Sequence, residues 1–329
     1  MISIKKYNHK LQYVWDDFIE KSNNGTIFHK QTFLNYHIDR KFQNHSLLFY
    51  QKNILICVLP AALVSENKVT TLYSHPGASY GGLIYKKLNF QLSQKIIIAL
   101  EKYCIKHDIA KCTLRQTPLI YHKTYSACLD YVLHLRGFVA AEHYISHYLS
   151  LNLATNPLLY LQKRKQRYIK SDFLYNDDFT FAESDQLDEF YKILKQNKKK
   201  FNTSPTHSLK ELQYLLKNFN QQIKLFVSYY KHKIMGGVLL FFTTENTCLI
   251  FYNVVANNAS NKNISLYQIY RCIEYCVNNA FNVLDFGVSH LPNEQNPLLP
   301  KLSLIKFKEQ FGCEGAIRLV YEKIFINNE

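Results

Sequence analysis

The chain has 329 residues, which is too long for one small core and, at roughly 150 residues per domain, predicts two domains. Apolar residues make up 47% of it and aromatic residues 15%, a composition that builds a folded core and excludes an intrinsically disordered chain. Lys and Arg (40) outnumber Asp and Glu (25), and the net charge of +15 favours a polyanionic partner, although a bias toward lysine and asparagine explains the surplus equally well.

The N-terminal segment and the cysteines indicate the compartment. Residues 1–17 contain no apolar stretch of the kind found in a signal peptide. The longest apolar run, ILICVLPAALV (54–64), is too short to span a bilayer and contains a proline. The eight cysteines include no CxxC pair, and Cys272 and Cys276 lack a second pair of metal ligands. We therefore expect a reduced, cytoplasmic protein with no metal site, which contacts an anionic membrane at most peripherally.

The chain contains an internal repeat. YQKNILICVL (50–59) matches YKHKIMGGVL (230–239), and each reads as a strand, a short polar turn and a buried strand. ALEKYCIKHDIAKCTLR (99–115) matches RCIEYCVNNAFNVLDFG (271–287), and each reads as an amphipathic helix followed by a short strand. The offsets are 180 and 172 residues, so the first half carries 180 − 172 = 8 extra residues between hairpin and helix. Two matches in the same order predict a duplicated α+β fold, in which each domain has a mixed, mostly antiparallel sheet flanked by helices.

The extra residues fall in or near the loop SHPGASYGGLIY (74–85). Its glycines permit tight backbone turns, and His75 and Tyr80 offer hydrogen-bond donors at its tip. Either this loop lines an acceptor pocket between the two domains or it is a long connection without a role. Arg115 aligns with Gly287 in the repeat and is expected to reach the same cleft.

A basic segment separates the two halves. NPLLYLQKRKQRYIKS (156–171) begins with a break signal, Asn156–Pro157, and has five basic residues and no acidic one. We place the domain boundary near residue 153, so that the domains cover 1–153 and 154–329 and the second opens with a basic helix. That helix either contacts phosphate groups or presents a solvated face.

The second half continues with alternating helices and strands. Helices are expected over 184–201, from an N-cap at Ser184, and over 208–219. Apolar residues at helical spacing predict a third helix around 266–277, and the strand VLDF (283–286) follows after a short turn.

Near the C-terminus, SLIKFKEQFG (303–312) alternates apolar and polar residues, which predicts a strand or a short turn. Lys308 follows Phe307 and either holds a substrate anion or is an ordinary solvated lysine, whereas Lys306 is expected on the opposite, solvated face. His290, on the loop before this segment, is either a proton acceptor or simply exposed. The sequence has no GxGxxG, Walker A or HExxH motif, which argues against a dinucleotide-binding fold, a P-loop NTPase and a zinc metalloprotease.

Several segments, taken in this order, resemble one family. They are WDDFIEKSNNGTIFHKQTFLNY (15–36), LRGFVAAEHYISHYLSLNL (135–153), QKRKQRYIKS (162–171), KIMGGVLLFF (233–242), VLDFGVS (283–289) and IKFKEQFGCE (305–314). Over about 300 residues the chain thereby resembles the Fem-type branch of the GNAT acyltransferase superfamily, whose members have two tandem GNAT-like domains.

The resemblance implies transfer of an acyl group to an amine. In Fem-type enzymes the donor is an aminoacyl-tRNA and the acceptor is a peptidoglycan precursor, while wider GNAT relatives use acyl-CoA. Both reactions pass through a tetrahedral oxyanion and need a neutral attacking amine. The stretch that would hold the CoA pyrophosphate, ANNASNKNISLY (256–267), has no glycine, which counts against ordinary acetyl-CoA use. We expect no permanently bound cofactor, and the donor stays open between aminoacyl-tRNA and acyl-CoA.

The resemblance also implies a set of site residues. Lys308 and Asp285 are expected to be catalytic. Lys308 would be a cation for a phosphate or the oxyanion. Asp285 would be a general base or an orienting acid or, alternatively, a carboxylate that satisfies the turn at Gly287. Tyr252 and Asn253 either polarise the acyl carbonyl or pack in the core. The other expected substrate-binding residues are Phe307, Ser289, His75, Tyr80, Arg115, Arg167 and Lys170.

Three functions stay open at this point. The first is a Fem-like N-acyltransferase that modifies an amine on a peptidoglycan or other cell-envelope precursor. The second is an acyl-CoA-dependent N-acetyltransferase for amino sugars of surface polysaccharides. The third is a catalytically silent module whose basic face holds RNA or anionic lipid. The implied partners are an activated acyl donor, an envelope precursor and tRNA, and the oligomeric state does not follow from the sequence.

Overall fold

The structure is a computed structural model that describes residues 1–37, 40–200, 202–257, 263–291 and 295–325. The chain forms two compact units. Unit 1 comprises Met1–Tyr144 together with the C-terminal segment that begins at Ile317, and unit 2 comprises Ile145–Ala316. Across the described residues, no helix combines the length and the apolar character needed to cross a bilayer.

Unit 1 contains short strands and four α-helices within the described residues. Its elements in chain order are β1 (Ile2–Lys6), α1 (Gln12–Glu20), α2 (Gln31–Leu34), β2 (Gln43–Asn44), β3 (Leu47–Gln51), β4 (Ile54–Leu59), β5 (Ala62–Glu66), β6 (Val69–Ser74), β7 (Ile84–Tyr85), α3 (Phe90–Lys106), β8 (Lys111–Arg115) and α4 (Cys128–Leu135). One sheet has the strand order β1-β3-β4-β7, and the strands β8-β6-β5-β2 lie side by side in another. The core packs the apolar face of α3, with Ile96, Ile97 and Leu100, against these strands.

Unit 2 follows from the strand β9 (Val139–Ser150), along which the chain leaves unit 1. The next elements are α5 (Lys163–Asp172), β10 (Phe179–Glu183), α6 (Leu187–Lys199), α7 (Leu209–Asn218), β11 (Ile223–Tyr230), β12 (Lys233–Phe242), β13 (Thr247–Val255), α8 (Ile264–Asn278), β14 (Val283–Val288), α9 (Leu302–Glu309) and β15 (Glu314–Ile324). The sheet of unit 2 has the order β10-β11-β12-β13-β14-β9. Neighbouring strands are antiparallel except β13 and β14, which run parallel.

The predicted repeat is present in the backbone. Both predicted hairpins form, as β3–β4 and β11–β12. Their two-residue turns share one conformation, with positive φ at Lys52 (48°) and Asn53 (63°) and at Lys231 (47°) and His232 (62°). Such turns match the right-handed twist of paired strands. The helix–strand pairs α3–β8 and α8–β14 follow in the predicted order, so the α+β prediction is confirmed.

Two local predictions differ from the structure. The segment 303–312 is not a strand, because α9 covers most of it: Leu304, Phe307 and Phe311 follow helical i, i+3, i+7 spacing, which the sequence reading took for alternation. Lys306 is exposed, as expected, but it lies on a helix and not on the opposite face of a strand. The helix expected from Ser184 begins instead at Leu187, because residues 179–183 form an edge strand paired with β11.

The C-terminal strand also departs from the sequence reading. Residues Val320–Ile324 of β15 pair antiparallel with Lys111–Arg115 of β8, which assigns them to unit 1. The predicted boundary near residue 153 lies close to the change from unit 1 to unit 2, which falls between Tyr144 and Ile145 within β9. The compact units are not simply the two halves of the chain, because the segment from Ile317 returns to unit 1. Long-range strand pairing of this kind leaves no local signal in a sequence.

Candidate functional site

The parallel strands of unit 2 separate at their C-terminal ends. β13 and β14 pair over three positions, from Thr247 with Val283 to Leu249 with Asp285. β13 continues to Val255, but within the described residues its ladder with β14 stops at Leu249. Strands that part in this way leave backbone N–H and C=O groups facing a gap, and such groups need a partner. Ligands bind to open α/β sheets at the carboxyl ends of their strands. This opening is therefore the candidate site.

β14 bends where it leaves β13. Its register with β9 shifts between Asp285 and Val288, and Gly287 has a φ of +71°. The fully buried Asp285 accepts a hydrogen bond from the Gly287 N–H through Oδ1, at 2.7 Å. Of the two readings of Asp285, this geometry matches the carboxylate that satisfies a turn. A bulge that contains a left-handed glycine is a common way to re-aim a strand beside a site.

Lys308 holds the bent end of β14. It lies on α9 with only 6% of its surface exposed, and its Nζ donates hydrogen bonds to the carbonyl oxygens of Gly287 (2.7 Å) and Val288 (2.9 Å). Lys308 is thus not a solvated lysine. Its ammonium binds the backbone of the strand that forms one wall of the opening. Phe307, next to it, is half-buried and packs edge-on against Phe311, with ring centroids 5.3 Å apart.

A buried polar pair lies beside this contact. The Ser289 hydroxyl and Nδ1 of His147, on β9, are 2.8 Å apart, and both residues are buried. Burial lowers the pKa of His147, and the positive charge of Lys308 lowers it further. Burial raises the pKa of the Cys313 thiol, while the charge of Lys308 lowers it and that of Asp285 raises it. We call Asp285, Ser289, Lys308 and His147 the β14 cluster. His147 was not predicted, because only the pairing of β9 with β14 brings it here.

His290 is not available as a proton acceptor. Its Nε2 accepts a hydrogen bond from the Ile145 N–H at 3.0 Å, so Nδ1 carries the proton and donates to the carbonyl of Pro297 at 3.0 Å. Both ring nitrogens form hydrogen bonds with backbone groups, so His290 stabilises the conformation of its loop.

On the other strand, Tyr252 and Asn253 lie on the part of β13 that extends beyond the ladder. Tyr252 is buried, its hydroxyl lies 3.0 Å from Nδ1 of the buried His207, and burial raises its pKa to about 12. Nδ2 of Asn253 donates to Oγ of Ser265 on α8 at 3.1 Å, whereas its buried Oδ1 has no hydrogen-bond partner within the described part of the chain. Tyr252 is therefore packed in the interior, and a role in polarising the acyl carbonyl stays a prediction. The Oδ1 of Asn253 is thus a buried acceptor with unused hydrogen-bonding capacity among the described residues.

Lys198 is a second residue that the sequence reading missed, since it stood in a run of helix-terminal lysines. Its Nζ lies 5.9 Å from the ring centroid of Tyr252, and burial lowers its pKa. The stretch that corresponds to a pyrophosphate loop, 256–267, includes residues 258–262, which lie outside the described residues, and its last four residues, 264–267, belong to α8.

The corresponding parallel pair in unit 1 is closed by its own chain. β6 and β8 pair over four positions, from Thr71 with Lys111 to Ser74 with Leu114. A further parallel bridge joins Gly81 to Gln116. The Gly81 N–H donates to the Arg115 carbonyl at 2.8 Å, and the Gly82 N–H donates to Oγ of Ser74 at 2.7 Å. The loop after β6 thus satisfies the strand ends that are left open in unit 2.

The sequence-predicted residues of unit 1 belong to this closure. His75 and Tyr80 are 2% and 1% exposed, so their side chains face the interior and not the tip of a loop. Burial lowers the pKa of His75 to about 3, which keeps the imidazole neutral. The guanidinium of Arg115 donates to the Tyr73 hydroxyl at 2.9 Å and lies 3.5 Å from the Glu142 carboxylate. A role of these residues in substrate binding stays a prediction.

The basic helix is present as α5, and four of its five cations are exposed. Arg167 and Lys170 are exposed, while Ile169 is the buried residue that anchors the helix. This arrangement leaves both cations accessible to a polyanion, and their role likewise stays a prediction.

Comparisons with known proteins place the fold. No family model matches the chain, and no curated protein matches its sequence. Among solved structures, FemX is similar with a TM-score of 0.74 at 10% identity, over 98% of this chain and 97% of FemX. A tandem GNAT protein from the clavulanic acid biosynthesis pathway has a TM-score of 0.56 at 8% identity, over the whole of both chains. L-PGS from Bacillus licheniformis has a TM-score of 0.53 at 10% identity, over 93% of this chain and 90% of that one. The chain therefore has a Fem-like tandem GNAT fold, as the sequence predicted.

Proposed function

We propose that the protein is an N-acyltransferase that moves an aminoacyl or acetyl group from an activated donor to an amine of a cell-envelope glycan or peptidoglycan precursor. The observation that carries the proposal is the opening between β13 and β14 in unit 2. At the equivalent parallel pair of unit 1, the chain itself closes the strand ends. An acyl donor is an extended chain with amide or ester groups. It fits such an opening because backbone groups on both walls can pair with it.

The reaction joins the acceptor nitrogen to the acyl carbon. The C–O bond of an aminoacyl-tRNA ester or the C–S bond of an acyl-CoA thioester breaks, the donor leaves with the electron pair, and the amine releases a proton. The tetrahedral oxyanion formed in between requires donors that are held in place beforehand. In this proposal, Lys308 and Asp285 act as positioning residues: each binds the backbone at 287–288 and sets the direction in which that strand end faces the donor.

Two donors fit the chain. The exposed cations Arg167 and Lys170 on α5 and the net charge of +15 favour aminoacyl-tRNA, which the Fem-type resemblance also implies. Similarity to the tandem GNAT protein from the clavulanic acid biosynthesis pathway, whose structure is a form without AcCoA, favours acyl-CoA and with it the amino-sugar alternative. Similarity to L-PGS and to a domain of a lysylphosphatidylglycerol synthetase from Agrobacterium fabrum (TM-score 0.53, 11% identity) supports an acceptor of the cell envelope.

The first experiment measures the melting temperature with CoA, acetyl-CoA and bulk tRNA, each titrated separately. A ligand that binds only the native state stabilises it by RT ln(1 + [L]/Kd), so the true donor class raises the melting temperature with concentration. A shift with tRNA that disappears as salt rises selects aminoacyl-tRNA. A shift with CoA selects acyl-CoA. If neither ligand shifts the melting temperature, the transferase proposal fails for both donors.

A matched pair of variants tests the surface on α5. Removing two charges with Arg167→Ala and Lys170→Ala should weaken tRNA binding and lower the salt slope of log K by about 2. The control removes two exposed charges elsewhere, with Lys199→Ala at the last residue of α6 and Lys200→Ala at its C-cap, and should leave the slope nearly unchanged. Equal losses in both variants would show that tRNA binds through net charge alone, and would refute a tRNA surface on α5.

A further inference from the structure

The sheet of unit 2 ends in a strand with one open side. Within the described part of the chain, β10 is the outermost strand of this sheet and pairs with β11 alone. Its residues Thr180, Ala182 and Glu183 are exposed, and Phe181 is half-buried. The backbone N–H and C=O groups on the open side of such a strand are a template on which another extended chain can pair.

The hydrogen bonds to β11 show which backbone groups of β10 face the open side. The Asp178 carbonyl accepts from the Lys231 N–H at 2.9 Å, and the Ser184 N–H donates to the Leu225 carbonyl at 2.9 Å. Because paired and unpaired residues alternate along an antiparallel strand, the even-numbered residues of β10 face β11 and the odd-numbered ones face away. The central residue, Phe181, therefore presents both its N–H and its C=O to the open side. Among the described residues, no hydrogen bond reaches either group.

The edge of β10 carries few of the features that prevent pairing. Lysines, prolines and bulges on an edge strand hinder the approach of a second strand. β1, an outer strand of the other sheet, carries Lys5 and Lys6, whereas β10 (FTFAE) has no lysine and no proline, and its register with β11 has no shift. The remaining outer strands, β2 and β7, are two residues long each. Of the described strands that end a sheet, β10 is thus the one that can accept a full partner strand.

Carboxylates lie at both ends of this edge. Residues 172–189 contain seven acidic residues and no Lys or Arg, in a chain whose net charge is +15. Glu183 and Asp178 are already paired with lysines of the β11–β12 hairpin. Asp177 and Asp185 lie two residues beyond the two ends of β10, are exposed, and form no ion pair with any residue that the structure describes. In an extended chain they are about 26 Å apart.

A second copy of the chain fits this edge poorly. In the symmetric antiparallel dimer with the longest overlap, Phe181 of one copy pairs with Phe181 of the other, and the twofold axis passes between them. Asp177 then lies opposite Asp185 at both ends of the contact. Like charges directly opposite each other destabilise a pair of strands. The carboxylates instead favour a strand that has a cation at each end.

We propose that the edge of β10 binds, in antiparallel orientation, an extended segment of a partner protein with a basic residue at each end of a nine-residue stretch. The partner's backbone pairs with the outward groups of Phe181 and Glu183, and its terminal cations lie beside Asp177 and Asp185. Its central residues are apolar or β-branched, because their side chains lie on the same side of the sheet as Phe181, which stacks on Phe226 with ring centroids 5.3 Å apart. The inference does not rest on the proposed transferase activity.

The probe is a nine-residue peptide with blocked ends, KTVTVTVTK, which alternates threonine and valine between two lysines. Ligand-observed NMR should show saturable binding to the wild-type chain, with a dissociation constant on the order of 100 µM. A peptide with glutamates in place of both lysines should bind about tenfold more weakly, because attraction at both ends becomes repulsion.

Two methylated peptides test whether recognition uses the backbone. In the bound strand, the N–H of the central valine donates to the Phe181 carbonyl, so methylating that nitrogen should abolish binding. The N–H of the threonine beside it faces away from β10. Methylating the threonine nitrogen should therefore leave the affinity within about threefold of the unmethylated peptide. Both peptides have the same composition and charge, and the comparison uses the wild-type chain.

Matched protein variants locate the site. Glu183→Pro removes an outward N–H and no bond to β11, as edge strands tolerate, and should abolish peptide binding. Its control, Glu183→Gln, removes the same charge, keeps the N–H and should bind within about threefold of the wild type. Asp177→Asn combined with Asp185→Asn should weaken binding of the lysine peptide about two- to tenfold, whereas Asp108→Asn, at an exposed position of unit 1, should leave it unchanged.

Four results would each overturn the proposal. Absence of saturable binding up to about 2 mM peptide would show that the edge is not a docking surface. Equal affinity for the lysine and glutamate peptides would remove the cations from the recognition. Unchanged binding in a folded Glu183→Pro variant would place the peptide away from β10. A wild-type dimer that Glu183→Pro converts to a monomer in sedimentation velocity would assign the edge to a second copy of this chain.

Discussion

Replacing Lys308 by methionine separates its contribution to stability from any contribution to the reaction. Methionine has a similar length and is apolar, so Lys308→Met deletes the two hydrogen bonds to the Gly287 and Val288 carbonyls while keeping most of the packing. Hydrogen bonds that involve a charged group contribute about 1.5–3 kcal/mol each, and the desolvation of a buried ammonium, which the variant relieves, offsets part of that sum. We expect a net loss of about 2–4 kcal/mol. For a cooperative unit the size of unit 2, this lowers the melting temperature by roughly 5–15 °C.

The assay is thermal and urea denaturation of Lys308→Met beside Lys306→Met, an exposed lysine two positions away on the same helix. The control should stay within about 0.5 kcal/mol of the wild type. A Lys308→Met protein as stable as its control would refute the reasoning, because it would show that the two carbonyls lose nothing when the ammonium is removed. Where the variant is still folded at the assay temperature, its loss of acyl transfer should exceed its unfolded fraction if Lys308 sets the direction of the strand end.

Three further changes test the structure. His29 is fully buried, and burial lowers its pKa to about 3. Between about pH 6.5 and 3 the unfolded chain therefore binds a proton that the folded chain does not, so the free energy of unfolding should fall as the pH drops through that range. His29→Gln should reduce the slope of that free energy against pH by about one proton, or about 1.4 kcal/mol per pH unit. An unchanged slope would assign the acid sensitivity to other groups. The buried Glu101 carboxylate pairs with Arg136 (2.5 Å) and Lys323 (2.7 Å). Glu101→Gln should lower the free energy of unfolding in denaturant by about 2 kcal/mol, a figure reduced because both cations are partly exposed to water. A loss below about 0.5 kcal/mol would mean that water replaces the ion pairs. A Cβ added at Gly287 would meet no heavy atom within 4 Å, so Gly287→Ala should cost only the strain of its φ of +71°, about 1–2 kcal/mol, and a variant as stable as the wild type would show that the turn relaxes.

Much of the fold follows from local patterns in the sequence. The hairpins at 50–59 and 230–239 and the helix–strand pairs after them were predictable because side-chain periodicity and two-residue polar turns depend on near neighbours only. Duplication, and with it the α+β class, followed from finding the same order twice. Dependence on near neighbours also explains the error at 303–312. This short stretch fits both the strand period and the helix period, and in the structure it forms a helix that buries the face with Lys308.

The candidate site was predictable in its residue types but not in its geometry. The sequence indicated Asp285, Ser289 and Lys308 because they stand near the end of a predicted strand and in motifs that resemble a known family. It did not indicate His147, which reaches Ser289 only because β9 pairs with β14. It also left the role of Lys308 open, since a lysine in solvent and a lysine bound to two carbonyls have the same neighbours in sequence.

Composition and periodicity alone determined that this chain folds, that it repeats an α+β motif and that it carries a basic surface. Tertiary structure decided which copy of the motif has an open site. Both copies contain a parallel pair of strands. In unit 1 the loop after β6 turns back and satisfies the strand ends through Gly81 and Gly82, whereas in unit 2 β13 runs past its ladder with β14. Backbone hydrogen bonds between residues far apart in the chain make that difference, and such bonds are set by three-dimensional placement and leave no period in the sequence.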